Sequence, residues 1–293
     1  MLYSSATHRQ LHQSTYKSVI RIQKIRSFFV IGLCLLMLTA VPACSLWPLG
    51  SKLNKQKLPE TIRAGIATDM PALAYQENKE IRGFDRQLAL QLEAYAGIKV
   101  SLVPMPSSSL FPALQNGQID IVLTGFSLET IKKQGATATV PYLSSGQVPL
   151  MSLTNQSRFS KKEGLLGQNV RIGTIIGSAG SQLVGNMSIQ GTSQAFARPQ
   201  DAIRALLRNK IDVFVYDLPA NYYYAAANID QGLIPGTTPY STEKLAWALR
   251  QEDKNLLLLI NDFLTQENDK GILTKMANRY IPFYGETTFR GGN

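Results

Sequence analysis

The 293 residues suffice for two domains of ordinary size, and their 44% hydrophobic and 17% charged content excludes a disordered chain. Lysine and arginine outnumber aspartate and glutamate by 30 to 20. Five of the basic residues lie within residues 1–43, where there is no acidic residue, so the rest of the chain is only mildly basic. A nucleic-acid partner is therefore not expected for the body of the protein.

Histidine and cysteine are confined to the first 44 residues, as His8, His12, Cys34 and Cys44. The body therefore has no histidine base for a catalytic triad, no histidine or cysteine set for zinc, and no cysteine pair for a disulfide. We expect no metal site and no cofactor, and we predict that the protein is not an enzyme.

The N-terminal segment has the pattern of an export signal. Residues 28–43 are almost wholly apolar, follow the basic stretch, and end at Val41-Pro42-Ala43-Cys44. This ending resembles the bacterial lipobox, which implies that Cys44 is acylated and begins the mature protein. A cleaved secretory signal and an uncleaved membrane anchor are the open alternatives, although the apolar run is shorter than the roughly 20 residues of a spanning helix. All three place the body outside the cytoplasm, after a signal peptide at 1–43 and a tether at 44–57.

From residue 60 onward, short apolar strands alternate with amphipathic helical stretches, which predicts an α/β fold with largely parallel sheets. Phe84, Leu88 and Leu92 fall on one face of a helix over Phe84–Ala96, and Gly97 follows where a left-handed cap would end it. The other predicted elements of this half are strands at 61–67, 98–103 and 119–123 and a helix at 110–116.

One segment of the body is repeated. Residues 113–125 align without gaps to residues 205–217, 92 positions later, with four of 13 residues identical. Each copy is predicted to be a helix end, a turn and a buried strand, which favours two similar lobes over chance or general α/β patterning. Ligands bind open α/β sheets outside the carboxyl ends of the strands. The two strand ends, at 125–127 and at Asp217, are therefore expected to face a shared cleft.

Three side chains at these strand ends are candidates for contact with a ligand. Asp217 ends an apolar strand, so its carboxylate is predicted either to bind a cationic amine or to cap the following helix. Ser127, at the other strand end, is predicted either to contact the ligand or to cap the helix that follows. Lys132 follows it as a cation that faces either the ligand or solvent.

A glycine-rich run, Gly177-Ser178-Ala179-Gly180-Ser181, follows a predicted strand at 170–176 and leads into a predicted helix from Gln182. Small residues at a helix start let backbone N–H groups approach an anion, which indicates a carboxylate site around Ser178 and Ala179. A flexible glycine turn is the open alternative.

Together these segments resemble the bacterial extracellular solute-binding proteins of family 3, the amino-acid-binding components of ABC importers. The resemblance extends from about residue 58 to residue 285, in the order and spacing of the family. Its pieces are Arg63-Ala-Gly-Ile-Ala-Thr-Asp69, Arg82-Gly-Phe-Asp85, Phe111-Pro-Ala-Leu-Gln-Asn-Gly-Gln-Ile-Asp120, Thr124-Gly-Phe-Ser127, Pro141-Tyr142, Val170-Arg-Ile-Gly173, 211–219 and 256–264.

This resemblance implies an α/β, two-lobed periplasmic-binding-protein clamshell, in which each lobe is a mostly parallel sheet flanked by helices. Lobe 1 is expected at 58–146 plus 247–293 and lobe 2 at 147–246. The two segments that cross between the lobes are expected near 145–149 and 245–247.

The resemblance also implies a ligand site. In the family, an arginine after the first-lobe serine binds the α-carboxylate of the ligand, and an aspartate at the second-lobe strand end binds the α-amino group. Asp217 matches the aspartate, whereas Lys132 stands at the arginine position and keeps the charge without the planar fork. Met70 and Leu73 stand where an aromatic residue usually covers the ligand. The implied ligand-binding residues are Asp69, Met70, Leu73, Thr124, Gly125, Ser127, Lys132, Ser178, Ala179 and Asp217.

The implied function is the capture of a small polar solute, an amino acid or a related small organic ion, for delivery to an ABC importer. The expected partners are this ligand, the permease of the transporter, and the membrane through lipidated Cys44, and the protein is expected to be a monomer. Two alternatives stay open: a ligand-sensing or accessory module with a degenerate amino-acid site, and an exported dehydratase built on the same fold.

Overall fold

The computed structural model describes residues 58–289. The predicted signal peptide, the predicted tether and Cys44 lie outside the described residues. Within residues 58–289, no helix combines the length and the apolar composition that crossing a bilayer requires.

The described chain alternates short strands with helices. The strands are β1 (Thr61–Ala67), β2 (Asp69–Met70), β3 (Ala74–Glu77), β4 (Glu80–Arg82), β5 (Lys99–Met105), β6 (Ile121–Ser127), β7 (Thr137–Ala138), β8 (Leu143–Ser145), β9 (Gln147–Ser152), β10 (Arg171–Ile175), β11 (Thr192–Phe196), β12 (Val213–Asp217), β13 (Leu233–Pro235) and β14 (Glu243–Leu249). The helices are α1 (Phe84–Ala96), α2 (Ser107–Gln115), α3 (Leu128–Lys133), α4 (Gln156–Phe159), α5 (Ala179–Gly185), α6 (Pro199–Leu207), α7 (Leu218–Ala227), α8 (Lys254–Asp269) and α9 (Ile272–Tyr280).

Two larger sheets define the two lobes. The first lobe has the strand order β5-β1-β6-β14-β7, with β8 paired to β14, and the second has the order β11-β10-β12-β9-β13. Three strands are parallel in each lobe, β1 with β5 and β6, and β10 with β11 and β12. An antiparallel strand then extends each sheet, β14 beside β6 and β9 beside β12. The predicted two-lobed α/β architecture is confirmed, with mixed sheets.

The chain passes between the lobes twice, and the two crossings touch. The first is at Gly146, between β8 and β9, where an added Cβ would lie 1.9 Å from the carbonyl oxygen of Ser241. The second lies between β13 and β14, at 236–242. Two hydrogen bonds join them, because Gln147 N–H donates to Ser241 Oγ at 3.0 Å and Tyr240 N–H donates to the Gln147 carbonyl at 2.7 Å.

The second crossing lies upstream of the predicted position, 245–247. Leu245 pairs with Ser127 of β6, and Glu243 pairs with Ser145 of β8, so residues 243–246 belong to the first lobe rather than the second. The physical reason is burial: Trp247 is fully buried in the first core, and the apolar run around it forms a sheet strand.

The repeated segment forms the same unit in each lobe, as predicted. In lobe 1, Arg63 donates its backbone N–H and two guanidinium N–H groups to the Asp120 carboxylate at 2.6 to 3.0 Å. In lobe 2, Arg171 does the same to Asp212 at 2.5 to 3.2 Å. Arg63 lies on β1 and Arg171 begins β10, and each aspartate directly precedes the buried strand that pairs with that strand.

Two helices begin earlier than the sequence predicts. α2 begins at Ser107 rather than near 110, since the carboxylate of the distant Asp69 accepts the Ser107 N–H at 2.9 Å. α5 begins at Ala179 rather than at Gln182, because the Ser178 hydroxyl accepts the Ser181 N–H at 3.1 Å and caps the helix.

Candidate ligand-binding cleft

A cavity of about 530 Å³ lies where the two lobes meet beside the crossings. Its first wall is α3 with its cap, including Ser127, and its second wall is the start of α5, including Ala179 and Gln182. The third wall consists of the second crossing at Ser241 and Thr242 together with the strand starts beside the crossings, Gln147 of β9 and Glu243 of β14. The structure thus brings together Ser127 and Ala179, which were predicted from opposite lobes, and a cavity of this size accommodates a small organic molecule.

Asp217 occupies the N-cap position of α7, yet its carboxylate makes no capping hydrogen bond. It instead accepts a hydrogen bond of 2.7 Å from Gln147 Nε2. Among residues 58–289, no lysine or arginine forms an ion pair with it. Asp217 therefore stands at the start of α7 without capping it through its side chain, and a half-buried carboxylate without a cation is left next to the crossing.

Burial raises the pKa of Asp217 to about 6, with the Gln147 hydrogen bond acting against this and the negative charge of Glu243 adding to it. Asp217 does not itself line the 530 Å³ cavity, whereas Gln147 does. The Gln147 amide lies between Asp217 and the cavity. Its Nε2 also donates to Glu243 Oε1 at 3.1 Å. A ligand amine that replaces this amide contact would meet two carboxylates.

Lys132 is exposed on α3 and does not line the cavity, and its contact with a ligand stays a prediction. Ile131 is buried in the core beneath α3, and the helical period then places Lys133 rather than Lys132 on the cavity side. Lys133 pairs with Glu129, one turn earlier, at 2.6 Å.

Both serines predicted at the site act as helix caps. Ser127 Oγ accepts the Thr130 N–H at 3.2 Å and caps α3, while Ser127 also lines the cavity. Ser178 caps α5, so the glycine-rich run begins a helix of seven residues and is not a flexible turn. Its interpretation as a carboxylate site stays a prediction.

Three further candidates are core residues, which corrects their predicted role in direct contact. Leu73 is 3% exposed and packs in the first core. Thr124 is fully buried, and its Oγ1 accepts the Ala67 N–H at 2.9 Å. Gly125 is buried, and a Cβ added there would lie 2.4 Å from the Tyr142 hydroxyl. These residues shape the strand ends without reaching the cavity.

Asp69 and Met70 lie on the small sheet of the first lobe, outside the cavity lining. Asp69 is exposed, and its carboxylate caps α2 through the Ser107 N–H and hydroxyl. Its negative charge is one of the causes that raise the pKa values of Tyr216 and Tyr224, which belong to the second lobe. Asp69 therefore faces the second lobe across the cleft.

Sequence reasoning missed a buried carboxylate in the first lobe. Asp85 is fully buried and accepts three hydrogen bonds, from Tyr142 Oη at 2.5 Å, Trp247 Nε1 at 3.0 Å and the Gly125 N–H at 3.1 Å. Burial raises the pKa of Asp85 to about 7, against the lowering effect of these donors. The network ties the strand end at Gly125 to β14, which carries Glu243. The sequence carried one signal of this buried acid, since Asp85 lies beside the apolar face of α1.

Two α/β lobes, two touching crossings and a polar cavity beside them define a clamshell protein that encloses a small solute between its lobes. Residues 62–283 match the family described as bacterial extracellular solute-binding proteins, family 3. The chain belongs to this family, and it is an extracytoplasmic protein that captures a small polar solute for an ABC importer.

Three similar proteins share most of their length with this chain. The probable histidine-binding protein of Neisseria gonorrhoeae is 28% identical over 226 residues, covering 74% of this chain and 81% of that protein. The arginine-binding extracellular protein ArtP of Bacillus subtilis is 26% identical over 250 residues, covering 84% of this chain and 94% of that protein. A solved ancestral cationic amino acid solute binding protein superposes with a TM-score of 0.67 at 26% identity, covering 76% of this chain and 96% of that chain.

Proposed function

We propose that this protein binds an amino acid between its lobes, with the amino group held by Asp217 and the carboxylate held on the α3 side of the cavity. The observation that carries the proposal is the state of Asp217, a half-buried carboxylate that forms no ion pair with a lysine or arginine of residues 58–289. Because an isolated buried charge is costly, a ligand ammonium that pairs with it stabilises the closed arrangement.

Lys133 supports the proposal from the first lobe, as a cation for the ligand carboxylate. It lines the cavity, and its present partner Glu129 is 74% exposed at the side chain. Exposed ion pairs of this kind contribute about 0 to 1 kcal/mol, so a ligand carboxylate can replace Glu129 at little cost. The start of α5, with Ala179 and Gln182, is proposed to close over the same end of the ligand.

We propose that the protein works as a lipoprotein monomer without enzymatic activity. Acylated Cys44, after removal of residues 1–43, would anchor it through the tether to 57, since two or three acyl chains suffice for stable anchoring. Ligand binding favours the closed lobes, and the permease of an ABC importer receives that closed form.

Calorimetry on the ligand-stripped protein with the twenty L-amino acids tests the proposal. We expect at least one to bind with a micromolar or lower Kd, and Asp217→Asn to weaken that binding by about 100-fold, as for loss of a buried charged contact. Asp230→Asn, on the exposed side of the second lobe, is the matched control and should bind as the wild type does. Absence of binding by a folded protein would instead support the accessory-module alternative.

A further inference from the structure

A second carboxylate stands next to Asp217 at the crossings. Gln147 Nε2 donates to Asp217 Oδ1 at 2.7 Å and to Glu243 Oε1 at 3.1 Å, so one neutral amide nitrogen serves two acids. Ser241 Oγ also donates to Glu243 Oε1, at 3.3 Å. Among residues 58–289, neither acid forms an ion pair with a lysine or arginine. The neighbouring Lys244 directs its Nζ to Ser144 Oγ instead, at 2.9 Å.

The other end of the same amide is an unsatisfied acceptor. Gln147 is 1% exposed, and its Oε1 has no hydrogen-bond partner among the described residues. This oxygen lies 2.9 Å from the position of a Cβ on Gly180, a buried residue in the first turn of α5 that does not line the cavity. An unpaired buried acceptor is unfavourable, so the Gln147 amide is a strained link between the two acids.

Glu243 lines the cavity, Asp217 lies behind Gln147, and the Lys244 ammonium that also lines the cavity is held by Ser144 Oγ. A guanidinium offers five N–H donors and an ammonium three, both with a positive charge, whereas a neutral amide offers two donors and no charge. The two neighbouring acids match a cationic group better than a neutral one.

We infer that Glu243 is a specificity-determining residue that makes the cleft select ligands with a second cationic group, an ammonium or guanidinium, beyond the amino group held by Asp217. This inference rests on the proposed function, because it assigns the side-chain end of the amino acid that the cleft binds.

Arginine and citrulline test the inference, because citrulline has nearly the shape of arginine without its charge. By calorimetry, we expect the wild type to bind arginine about 30-fold or more tightly than citrulline, the size of a charge-assisted contact. Glu243→Gln should reduce this preference to about threefold or less while leaving the citrulline Kd within about threefold of the wild-type value.

Two further variants separate the local contact from folding and from long-range charge. Glu243→Asp keeps the acid and should retain most of the preference for arginine. Glu252→Gln changes the net charge equally on an exposed side chain away from the cavity, and it should leave the preference unchanged.

The outcomes distinguish this inference from the proposed function. Equal binding of citrulline and arginine by the wild type, or an unchanged preference in folded Glu243→Gln, would overturn the role of Glu243 while leaving amino-acid binding in place. Failure of the wild type to bind any of the twenty amino acids would overturn both.

Discussion

Asp85 is a buried acid whose three hydrogen bonds favour its charged form, while its burial opposes that form. The effect of burial is the larger one, because the pKa of Asp85 rises from 3.8 to about 7 despite the donors from Tyr142, Trp247 and Gly125. A carboxyl whose pKa is higher in the folded than in the unfolded protein stabilises folding when protonated. Its contribution is complete below about pH 4 and is lost as the pH rises to about 7.

Asp85→Asn should therefore change how stability depends on pH. Each such carboxyl lowers the free energy of unfolding by roughly 1.4 kcal/mol per pH unit between its unfolded and folded pKa values. Asp217, with a pKa of about 6, also lowers the free energy of unfolding as the pH rises, but only up to about pH 6. In urea unfolding from pH 4 to 8, we expect Asp85→Asn to remove the slope between pH 6 and 7, and Asp217→Asn to retain it.

The same experiment has a clear contrary outcome. If Asp85→Asn kept the wild-type slope between pH 6 and 7, the carboxyl of Asp85 would not be the group that titrates there. The carboxyls of Asp120, Asp201 and Asp212 do not interfere, because their arginine partners hold these pKa values below the ordinary range. Their stabilisation is lost only at lower pH.

At the residue scale, the sequence indicated which strand ends face the cleft, but not which side chains reach it. Asp217 was found because an acid after an apolar strand is conspicuous. Lys132 was chosen because it stands at the arginine position of the family, and such a match does not reveal which face of a six-residue helix is buried. Gln147 and Glu243 were missed, because their role depends on the contact between two crossings that are 94 residues apart in sequence.

At the element scale, each lobe has a glycine at the equivalent close-packed position of its sheet. An added Cβ at Gly65 would lie 2.3 Å from Ile119 Cδ1, and one at Gly173 would lie 2.5 Å from Ile211 Cδ1. Each isoleucine directly precedes the aspartate that the strand arginine binds. In lobe 1 the strands β1 and β6, and in lobe 2 the strands β10 and β12, are thus held in register by an ion pair at their surface and by close packing behind it.

Gly173→Ala should lower the free energy of unfolding by roughly 1 to 3 kcal/mol, since the added methyl overpacks against Ile211. Ile211→Val removes the clashing Cδ1 and should cost about 1 kcal/mol alone. Together the two changes should cost less than their sum, which a double-mutant cycle in urea measures. Gly185→Ala is the control, because nothing lies within 4 Å of the added Cβ, and it should be neutral or slightly stabilising.

Lobe 1 offers the comparison that could contradict this explanation. There a Cβ at Gly65 would also lie 2.9 Å from Leu110 Cδ2, so Ile119→Val should relieve Gly65→Ala only in part. Strictly additive costs in lobe 2 would show that the clash with Ile211 is not the cause.

The regular elements were the predictable part of the fold because their signals are local. The helix Phe84–Ala96 was predicted with its true ends, and Gly97 adopts the left-handed conformation expected of its cap. The starts of α2 and α5 and the course of β14 were not predicted. α2 depends on a cap from Asp69, 38 residues away, and β14 is an apolar strand that only its sheet partners distinguish from a crossing.

At the scale of the whole molecule, the two lobes also meet away from the crossings. The rings of Tyr75, on β3 of the first lobe, and Tyr223, on α7 of the second, lie 5.1 Å apart between centroids. The C-terminal residues add a second tie, because Tyr284 Oη donates to the Ser144 carbonyl of the first lobe at 2.9 Å and Thr287 Oγ1 hydrogen-bonds to Tyr222 Oη of α7 in the second lobe at 2.9 Å. Closure therefore has stabilising contacts that do not involve a ligand.

Tyr75→Ala should shift the ligand-free protein toward open lobes. An aromatic pair contributes about 0.5 to 1.5 kcal/mol, so its loss should reduce the ratio of closed to open molecules roughly fivefold. Small-angle scattering should then give a larger radius of gyration for the ligand-free variant, and the Kd for the ligand should rise by up to about fivefold. Saturating ligand should restore the wild-type radius, since the ligand supplies its own contacts to both lobes. Tyr75→Phe keeps the ring and should behave as the wild type, whereas equal radii for ligand-free Tyr75→Ala and wild type would show that this pair does not influence closure.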